Sequence, residues 1–74
     1  MADPPVLPLA TIRKRHLLSQ RALASKAGVA LSTIYLLEAA RTERATFKVI
    51  RAVSDALGVP PESIAEFRHA MDAS

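Results

Sequence analysis

The side chains of this chain best suited to chemistry are its Lys and Arg residues, which cluster in one part of the sequence. Residues 1–52 carry nine of these bases against three Asp and Glu, a formal charge of +6: Arg13, Lys14, Arg15, Arg21, Lys26, Arg41, Arg44, Lys48 and Arg51. Residues 53–74 carry one base and four acids, a formal charge of −3. We expect such a polarised chain to bind a polyanion with one surface and to turn the other away.

Residues suited to catalysis or metal binding are sparse. The sequence contains no cysteine, which excludes thiolate ligands, disulfides and cysteine nucleophiles. His16 and His69 are far apart and have no acidic partner at ligand spacing, so neither a metal site nor a Ser-His-Asp arrangement is predicted. A chain of 74 residues leaves little room for a water-excluding pocket. We therefore expect a protein that is not an enzyme and uses no cofactor.

Length and composition indicate one small domain. The 74 residues are 50% apolar and 23% charged, which is enough apolar material for a single core. The opening segment MADPPVLPLA lacks the basic start of a signal peptide. The longest nearly apolar run, Val29 to Leu37, has about half of the ~20 residues that span a bilayer. The sequence favours a cytoplasmic protein.

The chain divides into an arm, a domain and a short tail. Three prolines within residues 1–8 predict an extended arm outside the core. A helical pattern then begins at Leu9, and the first helix is expected to end near Leu17. The folded domain is predicted over residues 9–67, with the end of the last helix and a tail at 68–74.

The next two helices are short and separated by a glycine. Ser19 is a suitable N-cap for a second helix over Gln20 to Ala27, and Gly28 can end that helix in the left-handed conformation. A third helix is predicted over Ala30 to Ala39. Its inward side is expected to comprise Ala30, Thr33, Ile34 and Leu37, and its unusually apolar outward side Ser32, Tyr35, Leu36 and Ala39.

Two further helices complete the pattern, and no period-two strand signal occurs. Thr46 can cap a fourth helix that Gly58 ends. The predicted inward residues of that helix are Phe47, Ile50, Val53, Ser54 and Leu57. After Pro60 and Pro61, a fifth helix is expected to carry an apolar stripe of Ile64, Phe67 and Met71. The sequence therefore predicts an all-α fold of five helices.

The second and third helices, joined by a tight turn with glycine, have the form of a helix-turn-helix unit. The string LSQRALASKAGVALSTIYLLE, from Leu18 to Glu38, resembles the Cro/C1 (XRE) family of DNA-binding repressor domains. Agreement continues outside this string and covers roughly residues 9–67. The resemblance implies a five-helix lambda-repressor-like domain with the helix-turn-helix at about 19–39. It also implies a transcriptional regulator of repressor type that binds double-stranded DNA with full or partial sequence specificity.

The resemblance implies roles for individual residues as well. By this resemblance, the helix at about 30–39 is expected to be the recognition helix that enters the major groove, and the loop after it is expected to contact phosphates. The residues implied to contact DNA are Gln20, Arg21, Leu31, Ser32, Thr33, Tyr35, Leu36, Arg41 and Arg44. Arg13 and Glu38 match an interior ion pair that ties the first helix to the third.

The chain departs from the family pattern in two places. Its groove-facing positions offer two leucines, a serine and a tyrosine where members often have glutamine, arginine or asparagine. Bidentate discrimination of about 1–3 kcal/mol per base is then missing, so we expect modest specificity or a contribution from DNA shape and from the arm. Ala39 and Ala40 replace the Asn-Gly that commonly ends the third helix. Without glycine, we expect this helix to run on toward Arg41.

Two questions about partners stay open at this level. Phe67 and Met71 either cap the core or form a homodimer contact, and a dimer suits binding to half-sites spaced about 34 Å apart. The apolar outward side of the third helix also fits a second hypothesis, an antitoxin or anti-repressor in which Leu31, Tyr35 and Leu36 dock a protein.

Overall fold

The protein is all-α, as predicted. The computed structural model describes residues 5–72, in which five α-helices and two short 3-10 turns account for the regular structure and no β-strand occurs. The helices are α1 (Leu9–Arg15), α2 (Gln20–Ala27), α3 (Leu31–Glu38), α4 (Phe47–Leu57) and α5 (Ala65–Asp72). The 3-10 turns span Thr42–Arg44 and Pro61–Ser63.

One apolar core lies between the helices. Helix α2 packs against both α3 and α4, and α1 lies against α3. The buried apolar side chains are Leu9, Ile12, Leu23, Ala24, Ile34, Leu37, Ile50, Val53, Leu57, Ile64 and Phe67. Phe67 is fully buried within this single chain, which favours the core-capping alternative over a dimer contact for this residue.

Phe47 is a correction to the predicted packing. We expected it to point inward with Ile50, yet 81% of the residue is exposed. The other predicted inward residues of α4 are buried: Ile50, Val53, Ser54 and Leu57. Phe47 is the first residue of α4 and lies about 70° from the middle of that buried face at ~100° per residue. The first turn of α4 therefore presents its aromatic ring to solvent.

The helix boundaries at α2 and α4 follow the predicted capping residues. The hydroxyls of Ser19 and Thr46 accept hydrogen bonds from the backbone N–H groups of Ala22 at 3.0 Å and Val49 at 3.3 Å. Gly28 ends α2 with φ of 72°. Such caps satisfy backbone groups that a helix end leaves unpaired.

Helix α3 ends earlier than expected. It stops at Glu38 and does not run on toward Arg41, because Ala40 adopts the left-handed conformation with φ of 63°. The N–H of Arg41 donates to the carbonyl of Leu36 at 2.9 Å, and that of Ala40 to Leu37 at 3.0 Å, which is the Schellman pattern. These bonds hold an alanine where its Cβ costs about 1–2 kcal/mol.

Helix α1 ends in the same way. It stops at Arg15, two residues before the predicted end, and Leu17 takes a φ of 58°. The Leu18 N–H donates to the Arg13 carbonyl at 3.2 Å, completing the same pattern of bonds. Leu17 is 93% exposed, so no burial offsets its left-handed backbone.

The predicted arm at residues 1–8 is only partly described, since Met1 to Pro4 lie outside the described residues. Leu7 is extended but docked: its N–H donates to the Ser63 carbonyl at 3.0 Å, and its carbonyl accepts from the Ala65 N–H at 2.9 Å. A carboxylate oxygen of Glu66 accepts from the Leu9 N–H at 2.8 Å, at the start of α1. The end of the arm is thus fixed to α5 rather than free.

Candidate nucleic-acid interface

The outward face of α3 carries exposed apolar and hydroxyl side chains. Leu31 is 37% exposed and Tyr35 is 62% exposed, and Ser32 between them is also exposed. At ~100° per residue these three side chains fall within an arc of about 100°. Ile34 and Leu37, on the opposite side, are fully buried in the core. The burial of the two inward residues therefore fixes which face of α3 meets solvent.

The residues that flank this face are half-buried. Thr33 and Leu36 each keep part of their surface accessible, and at ~100° per residue both lie on one side of the exposed arc, between Ser32 and the core. Ala30, predicted to lie inward as the first residue of the helix, is instead its exposed N-cap in an extended conformation. The α3 face thus consists of Leu31, Ser32 and Tyr35, with Leu36 and Thr33 along one margin.

A buried ion pair joins α1 to the end of α3. Arg13 Nε lies 2.6 Å from Glu38 Oε2, and Arg13 Nη2 lies 3.0 Å from Glu38 Oε1. The two side chains are only 10% and 8% exposed. Arg13 Nη1 also donates to the backbone carbonyl of Leu18 at 2.9 Å. The guanidinium therefore connects α1, the turn before α2 and the end of α3 in the bidentate geometry typical of strong pairs.

Gln20 belongs to the same network. Its Nε2 donates to Glu38 Oε1 at 3.0 Å, and the residue is half-buried. The amide group of Gln20, at the first position of α2, is thereby held beside the end of α3. A carboxamide nitrogen carries two N–H donors, so one donor and the carbonyl oxygen have capacity for a further partner. We call Arg13, Gln20 and Glu38 the buried polar network.

Cations surround the helix-turn-helix on its exposed surfaces. Arg21 and Lys26 are exposed on α2, and Arg41 is exposed in the loop after α3. Arg41 Nε donates to Glu43 Oε1 at 3.1 Å. Arg44 is the last residue of the 3-10 turn Thr42–Arg44. Exposed ion pairs such as Arg41–Glu43 contribute little to stability. The guanidinium of Arg41 can therefore exchange Glu43 for another partner at a low cost in free energy.

Sequence reasoning missed three features of this region. The acceptor that Leu18 supplies to Arg13 is a backbone carbonyl, which no residue type reveals. The bond between Gln20 and Glu38 joins residues 18 positions apart and leaves no local pattern. The pairing of Arg41 with Glu43 could have been found, because the two opposite charges lie two residues apart in a polar loop.

Two other kinds of site find no support between residues 5 and 72. No helix in that part of the chain combines the length and the apolar character needed to cross a membrane. No three His, Asp or Glu side chains gather there in an arrangement that could hold a metal ion.

A protein-family model matches most of the chain. The model of a helix-turn-helix family, of Cro/C1 (XRE) type, matches residues 9–64, which includes α1 to α4 and the 3-10 turn that precedes α5. No curated protein and no solved structure matches the chain significantly.

Proposed function

Because the chain belongs to the Cro/C1 (XRE) helix-turn-helix family, we propose that it is a repressor that binds double-stranded DNA through α3. The family is one of DNA-binding regulators and not of enzymes. We further propose that the chain acts as a repressor in the cytoplasm and binds specific or partly specific operators. In this proposal, repression results from occupying DNA that polymerase needs.

The exposed α3 face is the observation that carries the proposal. A major groove about 12 Å wide admits one α-helix, and only a helix with a free outer face can reach the base edges. Leu31, Ser32 and Tyr35 form such a face, while Ile34 and Leu37 anchor the helix in the core. We assign base contacts to these three exposed residues, with Thr33 and Leu36 at the margins of the contact.

Phosphate contacts are assigned to the residues around α3. Gln20 and Arg21 open α2, where the first-turn N–H groups and the helix dipole favour an anion. The second N–H of the Gln20 amide is available for a phosphate oxygen while the first remains on Glu38. Arg41 and Arg44 supply cations from the loop after α3. These contacts position the protein on the duplex without selecting a sequence.

We further propose that the protein binds DNA as a homodimer. The described molecule measures 33 × 28 × 19 Å along its principal axes. The longest extent, 33 Å, is close to the spacing of half-sites about 34 Å apart, so two copies that adjoin along this axis can reach successive major grooves on one side of the duplex. Phe47, Ile50 and Met71 line one surface depression beside α4, and Arg51 and Asp55 line the adjoining depression. A two-fold contact needs a surface that is complementary to itself. Apolar residues flanked by one positive and one negative side chain, Arg51 and Asp55, meet this requirement.

The decisive experiment measures binding to labelled duplex DNA by fluorescence anisotropy across a salt series. We expect log Kd to change linearly with log salt, with a slope of about 0.9 per neutralised phosphate. Arg41→Ala and Arg44→Ala should weaken binding to every duplex and reduce that slope by about one unit each. Lys48→Ala is the matched control, since it removes an exposed cation from α4 outside the assigned contacts. Absence of duplex binding at low salt, or an affinity that does not change with salt concentration, contradicts the proposal.

A second candidate function rests on the same face. Leu31 and Tyr35 are two of the five large apolar or aromatic side chains exposed in the described residues, and such residues also dock proteins. An antitoxin or anti-repressor would use them to bind one protein in a fixed stoichiometry. Tyr35→Ala discriminates the two functions, because it should weaken duplex binding in a repressor and leave it unchanged in a protein-docking module.

A further inference from the structure

The chain is poor in the carboxamide side chains that read adenine by paired hydrogen bonds. Adenine is read in the major groove by the carboxamides of Asn or Gln, and guanine by Arg or Lys. The sequence has no asparagine, and its single glutamine is Gln20. One amide donor of Gln20 is already used by Glu38, and the residue is half-buried. The usual reader of adenine is therefore absent from α3.

Helix α3 itself carries only apolar and hydroxyl side chains before its last residue. Its sequence, LSTIYLLE, contains no Lys, Arg, Asn or Gln. Its one charged residue, Glu38, is 8% exposed in its side chain and is paired with Arg13. Hydroxyl groups bond to donors and acceptors alike, so Ser32 and Tyr35 distinguish bases poorly by hydrogen bonding. The remaining feature of the major groove that such a face distinguishes is the C5-methyl group.

We propose that the α3 face selects pyrimidines carrying a C5-methyl group, namely thymine and 5-methylcytosine. The inference rests on the proposed function and specifies what the recognition helix reads. Leu31 and the ring of Tyr35 contact methyl groups, and Ser32 bonds to whichever base edge or phosphate is adjacent. Sequences rich in thymine are favoured, and cytosine methylation raises affinity at sites where cytosine replaces thymine.

The spacing of the two apolar residues fits this reading. Leu31 and Tyr35 lie four positions apart on one face, a separation of about 6 Å along the helix axis. Bases along one strand are about 3.4 Å apart, so two base steps span about 7 Å. A helix that lies along the groove can therefore place these side chains against the methyl groups of pyrimidines two steps apart.

The cations around α3 do not supply an alternative selection. Arg21 and Arg41 are exposed on other elements, at the start of α2 and in the loop after α3. Their assigned partners are phosphates, which every sequence presents equally. Selectivity for a methyl group and overall affinity should therefore be separable by mutation.

The test uses duplexes that differ only in the methyl group. The full chain is titrated against 24-base-pair duplexes of alternating dA-dT and alternating dA-dU, and of alternating dG-dC with and without 5-methyl-dC. Burial of one methyl group corresponds to about a fourfold change in affinity. We expect the methylated member of each pair to bind at least fourfold more tightly.

Variants separate contact with the methyl group from the effect of methylation on DNA stiffness. Leu31→Ala, at a partly exposed position, should reduce the preference within each pair to about half or less. Tyr35→Phe keeps the ring and should retain the preference. Arg41→Ala should weaken binding to all four duplexes and leave the preference intact.

The outcomes are distinct for the two levels of the proposal. Equal affinity for the dA-dT and dA-dU duplexes overturns methyl selection and leaves duplex binding standing. A preference that persists unchanged in Leu31→Ala with Tyr35→Ala also overturns it, because DNA stiffness is then its source. Failure to bind any of the four duplexes at low salt overturns the proposed function itself.

Discussion

The guanidinium of Arg13 contacts both carboxylate oxygens of Glu38, at 2.6 and 3.0 Å, in a region where both side chains are about nine-tenths buried. Glu38 is the last residue of α3, and Arg13 lies two residues before the end of α1. The same carboxylate accepts from Gln20 at the start of α2. One carboxylate thus sets the relative position of three helices, including the helix assigned to the groove.

Removing this carboxylate should destabilise the fold strongly. We expect Glu38→Ala to lower the free energy of unfolding by about 3–5 kcal/mol, because the Arg13 guanidinium is left buried without its partner. Urea denaturation followed by circular dichroism measures the change. The matched control is Glu43→Ala, which breaks the exposed pair with Arg41 and should cost about 1 kcal/mol or less. Similar losses in the two variants would contradict a structural role for the buried pair.

At Ala40, the left-handed alanine after α3, a substitution is expected to increase the stability of the fold. Ala40→Gly should raise the free energy of unfolding by about 1 kcal/mol, because relief of the Cβ strain exceeds the added entropy of glycine in the unfolded chain. Thermal denaturation measures it as a higher Tm. Ala39→Gly is the control: its φ of −86° suits alanine, so glycine there should lower stability. A destabilising Ala40→Gly would contradict the assigned backbone.

The same turns show how far the sequence determines the fold. Ser19 and Gly28 marked the limits of α2 because a hydroxyl cap and a glycine act locally, through bonds to neighbouring backbone groups. Leu17 and Ala40 gave no such signal. Their left-handed conformations are held by Schellman hydrogen bonds and by the packing of whole helices, which outweigh the local preference of each residue.

The candidate site was predictable only in part, for related reasons. Periodicity identified Tyr35 as outward and Ile34 as inward, because one face of α3 must meet the core. It placed Phe47 inward wrongly, because Phe47 lies about 70° from the middle of the buried face of α4, and periodicity does not show how wide a face the core covers. The hydrogen bond from Gln20 to Glu38 depends on tertiary contact and has no counterpart in spacing.

A substitution in the loop after α3 should increase the affinity for duplex DNA. Glu43 accepts from Arg41 at 3.1 Å and places a negative charge beside a cation assigned to phosphate. Glu43→Gln should increase duplex affinity about two- to fivefold at low salt, since the repulsion between exposed charges is about 1 kcal/mol at contact distances in water. The gain should shrink at high salt, where screening reduces both repulsion and attraction.

Anisotropy titrations at two salt concentrations measure this effect. Glu62→Gln is the control, because it removes the same charge from an exposed position in the turn before α5. An equal gain from Glu62→Gln would mean that net charge, and not the position of Glu43 beside Arg41, sets the affinity. A loss of affinity in Glu43→Gln would show that Glu43 orients Arg41 for its contact.

The exposed aromatic residue of α4 provides the test of the dimer. Phe47→Asp should change the free energy of unfolding by no more than about 1 kcal/mol, because 81% of the residue is exposed in the single chain. Phe67→Ala, at a fully buried position, should instead cost about 3–5 kcal/mol. In sedimentation velocity, we expect the wild-type chain to sediment as a dimer and Phe47→Asp as a folded monomer. Lys48→Ala, at the neighbouring exposed position, should remain dimeric. A Phe47→Asp variant that stays dimeric would show that the two-fold contact lies elsewhere.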